Sequence, residues 1–144
     1  MIEPGSTSTF EFTVPPTKVV PELYPEAPPF QTVPRVFATG YMVGLLEWAC
    51  MNHLDEAGHL QPGQTSVGTH ISVSHTAPTL PGQVITVEAT CTLVDGRTVE
   101  WDLTARDERD WITSGTHQRA VIDTERFVNG LRKKAAEVGL EVEP

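Results

Sequence analysis

Between Arg35 and His53 lies a run of seventeen residues, Val36 to Asn52 (VFATGYMVGLLEWACMN), with a single charged side chain, Glu47. The run suits a helix, and Asp55 to Gly58 supplies a stop at Gly58. Tyr41, Leu45 and Trp48 mark one stripe, continued by Cys50 to Leu54, while Met42, Val43, Leu46 and Ala49 fill the others. A helix apolar on all sides is a buried helix, not one laid on a surface with one face wet. It is also shorter than the ~20 residues needed to span a bilayer. Protein must wrap it.

The wrapping material lies downstream. Ser66 to His75 alternates, with Val67, Ile71 and Val73 expected on one face and Ser66, His70, Ser72 and Ser74 on the other. Gln83 to Leu93 puts Ile85, Val87, Ala89, Cys91 and Leu93 on one face. Asp95-Gly96 signals a tight hairpin, after which Val99, Trp101, Leu103 and Ala105 continue the apolar face. Trp111 to Ile122 reads as a last strand of mixed character, with a bulge expected at Gly115. Asp123 to Val138 reads as an exposed helix whose Arg132, Lys133 and Lys134 form a solvated face. Upstream, Phe10, Phe12 and Val14 alternate as one short edge strand. Eight prolines within residues 1–36 make Tyr24 to Val36 an extended, lid-like loop.

The chain has 144 residues, enough for one domain to bury a core without staples. A net charge of −9 disfavours a broad nucleic-acid surface, though a local cluster such as Arg35, Arg119 or Arg132–Lys134 could still receive one nucleotide. Cys50 and Cys91 sit in apolar stretches and read as reduced core thiols of a cytoplasmic protein, and the N-terminus lacks a basic-then-apolar leader. One curved sheet covers only part of a helix that is apolar all round. The expectation is therefore a symmetric dimer, or a higher oligomer, in which a second copy buries the remaining side.

A few residues stand out for chemistry. Glu47 is a lone acid within the apolar run: either it satisfies a structural donor, or it is held at a functional site. Strict alternation turns His75 toward the core, where it is either a satisfied core histidine or the partner of that acid. Thr39 is either an ordinary helix cap or a hydroxyl that meets a substrate oxygen. It stands eight residues from Glu47, about 12 Å of helical rise, so the two cannot touch one reacting atom from one straight helix. Either Thr39 belongs to the preceding loop, or a site combines two subunits. Gly68 permits either a bulge or close approach by a ligand, and Arg119 could pair with an anion or an acidic neighbour. No metal-ligand spacing, phosphate loop, G-x-S-x-G elbow or C-x-x-C is present.

The segments VFATGYMVGLLEWAC (36–50), VGTHISVSHTAPTLPG (67–82) and SGTHQRAVI (114–122), with YPE at Tyr24–Glu26, closely resemble the fluoroacetyl-CoA thioesterase family of hotdog-fold proteins. The resemblance runs from the YPE to the last strand. It implies an α+β hotdog fold over 1–144, a curved antiparallel sheet around a long central helix, dimeric, with a lid at 24–36 and a helix and tail at 123–144. It implies hydrolysis of a small acyl-CoA thioester to free acid and CoA, with no cofactor beyond the coenzyme A of the substrate. Carried over by position, Thr39, Glu47 and His75 are the catalytic residues. Gly68, whose amide contacts the thioester carbonyl, and Arg119 lie on the substrate side, with Phe30, Val33 and Phe37. Glu47 would attack the thioester or activate water, His75 would assist, and Thr39 would orient the substrate. Members specific for fluoroacetyl-CoA carry two phenylalanines in the lid, one of them a gate. Those places hold Phe30 and Val33 here, and a valine gate leaves the pocket more open and the acyl preference unassigned. Two other readings of the same fold are a hydratase or dehydratase and a non-catalytic module that binds acyl-CoA or an acyl carrier.

Overall fold

A computed structural model describes residues 1–143. In chain order it has β1 (Thr7–Thr13), a 3-10 turn (Pro16–Lys18), α1 (Val20–Leu23), α2 (Pro28–Gln31), α3 (Thr39–Glu56), β2 (Gln64–Val73), β3 (Val84–Asp95), β4 (Thr98–Arg106), β5 (Trp111–Asp123) and α4 (Thr124–Glu137). The five strands form one antiparallel sheet in the order β1-β3-β4-β5-β2, which leaves β1 and β2 as edges. One face of the sheet packs on α3, the hotdog arrangement of an α+β chain. The interior is built from Met42, Leu46, Ala49, Cys50 and Leu54 of α3 against Ile85, Val87, Ala89, Val99, Trp101 and Leu103. Full burial of each large apolar side chain contributes about 1.5–3 kcal/mol before ordering costs.

The central helix starts three residues later than its composition suggests. Phe37 pairs with Val19 in an isolated bridge and donates its N–H to the Thr79 carbonyl (2.8 Å), which keeps the chain extended up to Ala38. The helix then runs to Glu56, and the chain leaves it through Gly58 at φ +60°, a left-handed conformation that favours glycine. Only one side of α3 is covered within the protomer. Gly44, Glu47, Trp48 and Met51, spaced i, i+3, i+4, i+7, form the open side, with Trp48 48% exposed. Glu47 therefore departs from the expectation of a fully buried acid: its side chain is 40% exposed. The sheet covers the other side and reaches round to touch the rims of the open side at Glu47 and Trp48.

The Asp95-Gly96 hairpin forms as expected, with Asp95 opposite Thr98 and Gly96 at φ +58°. Face assignments hold until a bulge reverses them. A register shift between Cys91 and Leu93 leaves Leu93 exposed although Ile85 to Cys91 face inward. A second shift, between Gly68 and His70, puts Ser66 and Gly68 inward before the bulge and Ile71 and Val73 inward after it, so Val67 is turned away from the face assigned to it. No bulge occurs at Gly115. It pairs with both Val73 and Leu103, and a Cβ there would collide with the Ser72 carbonyl oxygen, so the glycine answers close backbone approach.

The proline-rich segment is more regular than an extended loop. Pro21 and Pro28 or Pro29 occupy the first turns of α1 and α2, where a missing N–H costs nothing. Gln31 ties the two turns together by donating Nε2 to the Pro21, Tyr24 and Pro25 carbonyls. At the other end, Asp123 caps α4 by accepting from the Arg126 N–H.

Several histidines are held neutral inside this frame. His53 accepts from the Trp101 indole N–H (3.1 Å) and His59 from the Ile2 N–H. Burial lowers the pKa of His53, His59, His75 and His117 from the ordinary 6.5. The unfolded chain thus takes up protons that the folded chain refuses, so this part of the stability is complete above about pH 6.5 and is lost as pH falls below it. Burial pushes Asp107 up, but hydrogen bonds from Asp110, Arg109 and Thr79 outweigh it and hold the carboxyl below 3.8, which adds a separate loss at lower pH. Chemical denaturation followed by circular dichroism from pH 8 to pH 3 is expected to show this two-stage decline; a flat profile between pH 7 and pH 5 would contradict it.

Candidate active site

The residues singled out in the sequence gather into two groups. Thr39 is the first residue of α3, and Ala38 takes the cap position. The Thr39 hydroxyl does not cap the helix: its Oγ1 lies 2.8 Å from His75 Nδ1. His75 follows the end of β2 in a segment tied to β5 by the Thr76 N–H and the Ile112 carbonyl. Its Nε2 is buried and has no partner among the described residues. Burial lowers the pKa of His75, and the Ala77 backbone beside the ring partly offsets this. A neutral imidazole with one committed and one free nitrogen can exchange a proton through the free one. The cavity beside the pair measures about 240 Å³ and is lined by Val20, Val36, Phe37, Thr39, His75 and Ala77 among others.

The second group centres on Arg119, whose side chain is only 5% exposed. Its Nε donates to Ser66 Oγ (2.8 Å), its Nη2 to the Ser66 carbonyl (2.9 Å), and its Nη1 to both Glu47 Oε1 (3.2 Å) and His117 Nε2 (3.2 Å). Gly68 lies against the same carboxylate. A Cβ on it would sit 2.7 Å from Glu47 Oε1 and 3.4 Å from His117 Cε1. Glu47 is thus gripped on one side by a buried cation, crowded by a backbone that has no side chain, and open on the other side.

Thr39 and Glu47 remain a little over two turns apart on α3, about 12 Å along its axis, and are not brought together within the protomer. Phe37 is buried at the root of the lid and also walls a second cavity of about 260 Å³ with Phe12, Tyr41 and Trp48. Phe30 packs on Tyr24 with ring centroids 5.6 Å apart, and Val33 is exposed just past α2. Arg35 pairs with Glu22 (3.3 Å). Burial raises the pKa of Cys50 and Cys91, so neither is poised as a thiolate. Among the described residues, no group of three or more His, Cys, Asp or Glu could hold a metal. Sequence reasoning missed Ser66, His117, Val20 and Val36. For His117 a signal existed: it stands two residues from Arg119 on one strand and so shares its face.

The sequence pattern of the fluoroacetyl-CoA-specific thioesterases matches residues 21–125. The chain belongs to that family. A fluoroacetyl-CoA thioesterase from Streptantibioticus cattleyicolor is 51% identical over 130 residues, covering 90% of this chain and 92% of that protein. A solved fluoroacetyl-CoA thioesterase superposes with a TM-score of 0.89 at 49% identity, over 93% of this chain and 98% of the other. A mutant of such an enzyme in complex with fluoroacetate and CoA gives 0.84 at 51% identity, over 88% and 99%. The matched span contains both groups of polar residues described above.

The crowding at Gly68 is directly testable. Replacing Gly68 by alanine puts a methyl where the Glu47 carboxylate lies, and the end of that side chain can move more easily than backbone. The variant is expected to fold with a thermal midpoint within about 3 °C of wild type. Its crystal structure should show the carboxylate displaced from Arg119; an unmoved carboxylate would contradict the close approach.

Proposed function

We propose that the protein hydrolyses a small acyl-CoA thioester to the free acid and CoA, at a site completed by a second copy of the chain. Thioester hydrolysis comes with membership in the family. The observation that supports the site is the Glu47 carboxylate, oriented by buried Arg119, facing the open side of α3 beside Gly68. In this reading Glu47 acts on the thioester carbonyl carbon in one of two ways. As nucleophile it expels the CoA thiolate and leaves an acyl anhydride that water cleaves; as base it takes a proton from the attacking water. The Gly68 amide polarises the carbonyl oxygen. His75 moves a proton through its free Nε2, and Thr39 orients the substrate and the imidazole.

One straight helix cannot bring Thr39 and Glu47 to one atom, so the Thr39–His75 pair of one protomer serves Glu47, Gly68 and Arg119 of the other. Two features favour such a pairing. The long edge strand β2 has a free side, and the open face of α3 presents Trp48 and Met51 to solvent. A related thioesterase has been solved with fluoroacetate and CoA, which supports coenzyme A as the thiol carrier here. Phe30, Val33 and Phe37 would line the acyl end, and a valine at the gate place suits acyl groups less narrowly defined than fluoroacetyl.

Thiol release from a panel of acyl-CoAs tests this reading, and binding without release would point to a non-catalytic module instead. Glu47→Gln is expected to lose about 10²–10⁴-fold in turnover while still sedimenting as a dimer; near-wild-type rates would overturn the mechanism. Val33→Phe, at an exposed position, should leave stability unchanged and shift the ranking of small acyl groups. An unchanged ranking would place Val33 outside the acyl pocket.

A further inference from the structure

His117 is a buried titratable group in direct contact with Arg119 that the mechanism above leaves without a task. It is 2% exposed and stacked on Trp101 with ring centroids 6.2 Å apart. Its Nδ1 lies 2.8 Å from the His70 carbonyl oxygen, and its Nε2 lies 3.2 Å from Arg119 Nη1. These partners settle its protonation. A carbonyl can only accept, so the proton is on Nδ1; a guanidinium can only donate, so Nε2 presents its lone pair. The Nη1 nitrogen carries two hydrogens, and their directions are Glu47 Oε1 and His117 Nε2.

We propose that His117 is a positioning residue for the hydrolysis: its Nε2 lone pair holds the second Nη1 hydrogen of Arg119, and so aims the first at the Glu47 carboxylate. The inference rests on the role given to Glu47 above. Ser66 holds Nε and Nη2, which leaves the rigid guanidinium plane free to tilt about that edge; His117 supplies the third point, at the end that faces α3. With His117 in place, Nη1 is bound on both sides and presents one fixed hydrogen to the Glu47 carboxylate. Ring stacking on Trp101 and the His70 carbonyl in turn fix the imidazole plane.

The arrangement requires a neutral ring, and its surroundings supply one. Glu47 and Cys50 face this cluster from α3, Arg119 from β5, His70 from β2, and Glu100 of β4 lines the adjoining cavity of about 190 Å³. Burial disfavours the imidazolium; the bond to the His70 carbonyl favours it, Arg119 opposes it, Glu47 favours it and His70 opposes it, leaving the pKa below 6.5. Charging the ring would remove the acceptor and set a second cation against Arg119.

Two measurements test the role. Long-range proton–nitrogen NMR of the wild-type protein at neutral pH reads the tautomer whatever the activity, with the His117 signals identified by their loss in His117→Gln. The Nδ1–H form is expected; an Nε2–H form or an imidazolium overturns the proposal. Kinetics then compare two variants on whichever acyl-CoA turns over. His117→Phe keeps a ring on Trp101 but offers no acceptor, and should lower kcat about 10- to 100-fold with KM within about threefold. His117→Gln, whose Oε1 can accept from Nη1, should recover to within about fivefold of wild type. Equal rates in the two variants, or a loss carried wholly by KM, would overturn the proposal. If the Phe variant does not fold, the tautomer and the Gln variant still decide: a Gln variant that folds but is slowed more than about fivefold counts against it. A wild-type protein that releases no thiol overturns the hydrolysis reading instead, and is recognised by the expected tautomer standing beside absent turnover.

Discussion

A guanidinium taken out of water must have nearly all its hydrogens bound, and Arg119 organises the inner face of β2 and β5 around that demand. Ser66 supplies two acceptors, its hydroxyl and its own carbonyl; His117 supplies a third and Glu47 a fourth. Three of the four come from the sheet. The fourth reaches across from α3 and is the only one that is partly wet. The buried cation therefore ties the helix to the sheet at the place where the helix leaves the core, and keeps a carboxylate pointed at the open side. Removing Arg119 would leave Ser66 and His117 with unpaired polar atoms in the interior, a larger loss than the ion pair itself supplies.

The same constraint explains the bulge at Thr69. A regular strand would carry one parity from Ser66 to Val73, and either Ser66 and Gly68 or Ile71 and Val73 would face outward. One extra residue allows both pairs to face in. Upstream of the bulge the strand gives Arg119 its acceptors and Glu47 its room; downstream it returns apolar side chains to the core and carries the chain on to His75. The polar cluster and the Thr39–His75 pair are thus set by one strand with a single irregularity, and their separation is a property of the fold, not of a flexible loop.

How far this could be read from residues depends on whether the signal was periodic. The helix was visible because seventeen residues with one charge leave few alternatives, and Asp95-Gly96 marked its hairpin without help from the rest of the chain. Glu47 was visible as a charge in unusual company, and Arg119 through the motif it shares with the family. What was not visible follows from parity and from neighbours distant in sequence. A bulge leaves no composition signal, so Val67 and Leu93 were assigned to the wrong faces. Gly115 suggested a bulge, although its lack of a side chain answers the Ser72 carbonyl on the neighbouring strand. Prolines argued against helix where they occupy first turns, a position in which they fit. Glu47 looked buried because, although one sheet was expected to cover only part of the helix, the sequence does not state which residues fall on the uncovered side.

The lid differs from this frame in how it is held. Between Val20 and Val36 the polar bonds are mostly internal, from Gln31 to three nearby carbonyls, from Thr32 to the Pro29 carbonyl and from Arg35 to Glu22. Its links to the frame are concentrated at its root, where Val19 and Phe37 pair and Phe37 enters the core. Phe30 packs on Tyr24 inside the lid and Val33 is exposed, so substitutions at either place make no contact with Arg119, Glu47 or His75 and meet little of the cooperative packing that makes core changes costly. On the function proposed above, a lid held in this way would let acyl preference vary with Phe30 and Val33 while Glu47, Arg119 and His75 keep their places.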